Sequence, residues 1–264
     1  MNTRRRVLII SGVFLSLLMQ KVQATANHLE PIPPYDSLDF DGTIHGYRQA
    51  VFTSLIGRGW LPSLWMIERP SSSREYGVMV WCSGEHDPND THSREIKREQ
   101  WVVEYVIPKE KIWRWKPVGG GEIPDVRPTE NVERRRVPIA PDIRPTRNVE
   151  RYHVPITKEF AEVVQEAWLN TLQLTRYAEN DSQGMDGTTL EFCCGSLFGQ
   201  TWSPKTGLPA MLADLGRMLR TLAQSDDKGR KPLLAEAESL ARKIAKEAEA
   251  EQIKLFGKKV SRSW

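Results

Sequence analysis

Three features of this 264-residue chain predict an α+β fold, a mostly antiparallel sheet packed by two amphipathic helices. Short apolar runs bounded by turn residues fall at 64–69, 76–82, 101–107, 112–115, 188–194 and 200–202, and read as strands. Two helix-period apolar stripes, within 157–172 and 209–223, supply faces to cover a sheet. A Pro-rich tandem repeat and a charged C-terminal helix complete the pattern as surface attachments.

The chain opens with Arg4, Arg5 and Arg6, an apolar run from Val7 to Met19, and small residues at Ala24 and Ala26. That order of charge, apolar segment and small-residue exit is a secretory signal peptide. The run is too short to span a bilayer, and no later stretch approaches the length needed. The mature protein is therefore expected from about Asn27, periplasmic or secreted, with no membrane span. Residues 27–225 read as one domain interrupted by an arm at 118–156, and 226–264 as a helical extension. Residues 1–26 carry four basic and no acidic residues, which leaves 33 basic against 34 acidic in the rest, a formal charge of −1. Such a balance supplies no general field toward nucleic acid or an anionic surface.

Tyr47 to Ile56 reads as a short helix ended by Gly57. Leu64 to Arg69 and Tyr76 to Cys82 form a hairpin across Pro70-Ser71-Ser72-Ser73, and the second strand, apolar on both faces, belongs at the sheet centre. Trp101, Val103, Tyr105 and Ile107 share one face of a third strand, whereas Gln100 and Glu104 mark the other as partly wet; Pro108 stops it. Ile112 to Trp115 is a fourth. Thr157 caps a helix carrying Glu159 in its first turn and Phe160, Val163, Val164, Ala167, Trp168, Thr171 and Leu172 on one stripe. Asp186-Gly187 is a turn, Thr188 to Cys194 and Gln200 to Trp202 are strands, and Pro209 opens a helix with seven core-facing apolar residues. From Lys231 the narrow seam of Leu233, Ala237, Leu240, Ile244 and Ala248 is expected to leave a solvated terminal helix. Of the odd set Cys82, Cys193 and Cys194, a Cys82–Cys193 bridge and plain buried thiols are both open.

Residues 123–139 are repeated as 140–156, with three prolines in each unit and few large apolar groups, which predicts an extended surface arm. Its arginines, Arg127, Arg134, Arg135, Arg136, Arg144, Arg147 and Arg151, would face an acidic partner; the competing reading is a tolerated replication-slippage insert. Glu85, His86, Asp87 and His92 have the ligand types of a metal-assisted hydrolase, but their spacing fits no metal motif and a solvated turn is preferred. Trp113 and Trp115 share a strand face that would suit a sugar or peptide. No cofactor motif is present, since Gly119-Gly120-Gly121 does not join a strand to a helix.

Gly184-Met185-Asp186-Gly187-Thr188-Thr189-Leu190-Glu191-Phe192, with Gly199-Gln200-Thr201-Trp202-Ser203-Pro204 and the following helix, resembles the C-terminal part of uncharacterised exported proteins of proteobacteria. The likeness covers about a quarter of the chain and implies a bacterial envelope setting, with Trp202 plugging the core and no catalytic residues. The sequence thus leads to an exported, non-enzymatic domain that binds another protein, one form being an inhibitor or immunity protein.

Overall fold

The computed structural model describes residues 28–32, 43–57, 62–83, 100–117, 139–143, 145–176 and 187–257. In chain order these form α1 (Thr43–Leu55), β1 (Leu64–Pro70), β2 (Tyr76–Cys82), β3 (Trp101–Pro108), β4 (Trp113–Pro117), β5 (Ile139–Ile143), β6 (Val149–Ile156), α2 (Lys158–Leu172), β7 (Thr188–Cys194), β8 (Leu197–Trp202), α3 (Gly207–Gln224) and α4 (Asp227–Phe256). Six strands make one antiparallel sheet in the order β6-β3-β2-β1-β7-β8. The expected α+β architecture is therefore the observed one.

Strand alternation sends side chains to two faces, and both are buried. Leu64, Met66, Val78, Val80, Val103, Leu190, Phe192 and Cys194 face α2 and α3, where Trp168 meets Phe192 edge-on at 5.9 Å. Trp65, Ile67, Met79, Trp81, Val102, Val106 and Cys193 face α1 and the separate β4–β5 ribbon. The second face of β3 is thus not wet: Glu104 is buried, accepting from Trp81 Nε1 at 3.0 Å and pairing with Arg151 at 2.8 Å.

Local chemistry sets the element ends. Thr157 accepts from Phe160 N at 3.2 Å to start α2, and Asp226 accepts from Gly229 N at 2.9 Å to start α4. Gly195, at φ +57°, supplies the left-handed residue of the β7–β8 turn. The outer edge of β8 is covered by Glu30, which exchanges two 2.8 Å backbone hydrogen bonds with Gln200.

Four expectations change. First, α4 is not a solvated extension: Ala237, Ala241, Ile244 and Ala248 are fully buried against α2 and α3, forming a third layer. Alanines offer little area, but they let helix backbones approach closely. Second, the repeat is not wholly an arm, because its second unit contributes most of β5 and all of β6, with Val154 in the core. Third, the cysteine alternative left open narrows to free thiols, two of them buried. Cys82 and Cys193 lie on strands flanking β1, separated sideways by two strand spacings of about 4.8 Å each and offset by three residues along β1, and point to opposite faces, beyond disulfide reach. Fourth, Trp202 is half-buried, lying over Gly187 rather than plugging the core.

Candidate functional site

Three tyrosines that are remote in sequence meet on one face of the sheet. Cross-strand register sets Tyr105 of β3 opposite Tyr152 of β6 and diagonal to Tyr76 of β2. Tyr76 and Tyr105 pack edge-on at 5.6 Å, and Tyr105 stacks on Tyr152 at 5.7 Å with planes 27° apart. The inner end of this row is anchored: the Tyr76 hydroxyl donates to Glu68, Arg217 Nε donates to the same carboxylate at 3.2 Å, and Arg220 lies 4.8 Å over the Tyr76 ring. The outer end is open, since Tyr152 is 37% exposed on the last strand of the sheet order.

Electrostatics keep the row neutral. Burial, then the adjacent Glu68, hold the Tyr76 phenol well above its ordinary value, and burial does the same to Tyr105. The hydrogen bond to Glu150, 3.0 Å long, raises Tyr152. All three hydroxyls are therefore protonated at neutral pH; Tyr76 and Tyr105 are buried, and Tyr152 alone presents its hydroxyl and apolar face to another surface.

A second polar cluster lies under α1 on the opposite face. Glu191 receives Arg48 at 2.9 Å and Arg69, and the Arg69 guanidinium sits 5.6 Å from the Tyr47 ring centroid. Tyr47 donates to Glu75 at 2.8 Å, and Glu75 also accepts Ile112 N at 3.2 Å. Two buried carboxylates and two arginines balance, so this cluster ties α1 to the sheet and to the start of the ribbon.

The residues singled out from sequence are dispersed. Trp113 is a packing residue, edge-on to Tyr47 at 5.0 Å, and the side chain of Trp115 lies outside the described residues. Arg151 is drawn inward to Glu104 rather than presented outward, whereas Arg147 is exposed between β5 and β6. Arg127, Arg134, Arg135, Arg136 and Arg144 lie outside the described residues, as do Glu85, His86, Asp87 and His92. Among the described residues no group of three His, Cys, Asp or Glu is placed to hold a metal ion.

Cysteine chemistry finds no support at Cys193. Burial pushes its thiol up to about 12, so it is protonated at neutral pH. His153 lies on β6, four strands away from β7 and thus about 19 Å off. The tyrosine row escaped sequence reasoning because Tyr76, Tyr105 and Tyr152 occupy three separate strands; only the pairing register joins them.

The class this defines is an α+β domain whose sheet is covered on both faces and whose β6 edge carries an aromatic row. Comparison with protein-family models, with curated proteins and with solved structures finds no match.

Proposed function

We propose that this is an exported protein-binding domain of the bacterial envelope, an inhibitor or immunity protein being one form, and that it engages its partner through β6. The observation that carries the reading is the tyrosine row, anchored on Glu68 and Arg217 and ending in the exposed ring of Tyr152 on an edge strand. Tyrosine gives contact area at low entropy cost and is enriched where proteins recognise one another. An edge strand adds backbone groups for strand addition. The leader-like first 26 residues and the resemblance to exported proteobacterial proteins support the setting.

The test is affinity capture from an envelope fraction with mature 27–264, Tyr152→Ala and a Lys243→Ala control, followed by reconstitution from purified components. A 1:1 complex formed by the first and third baits and lost with Tyr152→Ala is expected. A partner held equally by Tyr152→Ala, or no partner for any bait, would count against the reading. The bait keeps residues 139–156, because Tyr152 and the strand that carries it lie there.

A further inference from the structure

The two repeat units differ at only five of 17 aligned positions, and the structure shows what the conserved positions do. In the second unit Val154 fills the core beside Val103 and Phe160, Val149 packs on the α1 side, and Arg151 pairs with buried Glu104. The backbone carbonyl of Asn148 accepts Lys109 N at 2.9 Å, and Thr146 Oγ1 accepts Asn148 N at 3.0 Å. Each has an identical counterpart in the first unit: Val137, Val132, Arg134, Asn131 and Thr129. Pro155, whose missing N–H faces away from β3, corresponds to Pro138.

The ribbon obeys the same correspondence. β5 pairs Pro117 with Ile139 and Trp113 with Ile143. Shifted by one repeat, the partners become Glu122 and Val126, and the connection shrinks to Val118-Gly119-Gly120-Gly121, a four-residue loop with hairpin chemistry. By loop closure this connection is about twelvefold more favourable than the 21-residue one now spanning 118–138. In exchange, the 17 residues move to the junction with α2, which now holds only Thr157. The added length is carried at one end or the other, so neither loop forbids its register.

We infer that β3 and β4 form a docking site for either repeat unit, so that segment 122–139 of this chain can occupy the place of 139–156. The two seatings keep the contacts of Val154, Val149 and Arg151, put Val126 in place of Ile143, and change the exposed edge. Arg135 and Arg136 replace Tyr152 and His153, which removes the stack on Tyr105 and puts two guanidinium groups on the strand, while Glu130 replaces exposed Arg147 just before it, so the edge changes in chemistry but not in formal charge. The two-register claim stands independently of the β6 edge being the recognition surface.

Two deletions, Δ123–139 and Δ140–156, leave one unit each. Both are expected to unfold cooperatively with midpoints within a few degrees of one another. Folding of Δ123–139 alone would overturn the inference, because the first unit would then be unable to seat. If neither folds, the intact chain decides: in a background with its three cysteines replaced by serine, the Ile107→Cys, Glu133→Cys pair should crosslink under mild oxidation alongside the Ile107→Cys, Glu150→Cys pair. Crosslinking of the second pair only would overturn it.

Discussion

Ile244→Ala measures whether α4 is part of the core. Ile244 is fully buried with Ala237, Ala241 and Ala248 in the seam against α2 and α3. The substitution removes three buried carbons, worth about 2.4 kcal/mol at ~0.8 kcal/mol each. The cavity left between three helices adds to this, which brings the expected loss to about 3 kcal/mol. For a domain of this size that lowers the thermal midpoint by about 6–12 °C. Urea unfolding followed by tryptophan fluorescence reads it directly, because Trp168 lies on α2 in the same core. Lys243→Ala, at an exposed neighbouring position, should move stability by no more than about 0.5 kcal/mol. A loss below about 0.5 kcal/mol for Ile244→Ala would mean that α4 is a detachable extension, and would refute the layer argument.

Glu191→Ala takes the shared buried carboxylate from Arg48 and Arg69 beneath α1 and should cost about 3–5 kcal/mol, measured by the same unfolding; a change under about 1 kcal/mol would mean the cluster is solvated. Gly216→Ala sets two effects against each other: helix propensity gains about 1 kcal/mol, but the new methyl would collide with buried Met66, at a cost of about 1–3 kcal/mol. Net destabilisation is expected, and a more stable variant would show that Met66 yields freely. Burial pushes the Cys193 and Cys194 thiols up to about 12 from an ordinary 9.0, so the unfolded chain releases those protons first. Stability from this source is whole below pH 9 and falls as pH rises from there toward 12; urea midpoints that rise over that range would contradict the burial. Native thiol titration with an aromatic disulfide should count Cys82 alone, with the other two appearing only on unfolding.

What the sequence made legible follows from where its signals are local. β2 reads as central because Tyr76 to Cys82 is apolar on both faces, and β2 lies inside the sheet between β1 and β3. Thr157 and Phe160 define the start of α2 within four residues, and the cap is there. Signals that depend on a distant partner were invisible. Glu104 breaks an apolar alternation and reads as wet; its solvation is replaced by Trp81 and Arg151, the latter from inside the repeat. The seam of α4 reads as too thin to pack because alanine offers little area, whereas alanine also allows close helix approach and a buried contact. β6 was hidden by Pro155 and the Pro-rich repeat around it; an edge strand tolerates a proline where the N–H position points outward. Once Val149–Ile156 is placed beside β3, the stack of Tyr152 on Tyr105 follows from register alone.

Amide hydrogen exchange on the reconstituted complex against the free protein tests the central claim, recognition through the β6 edge, most directly. New protection concentrated in 149–156, with the exposed outer faces of α2 and α4 unchanged, is the predicted result. Protection on those helices with 149–156 exchanging as in the free protein would contradict it.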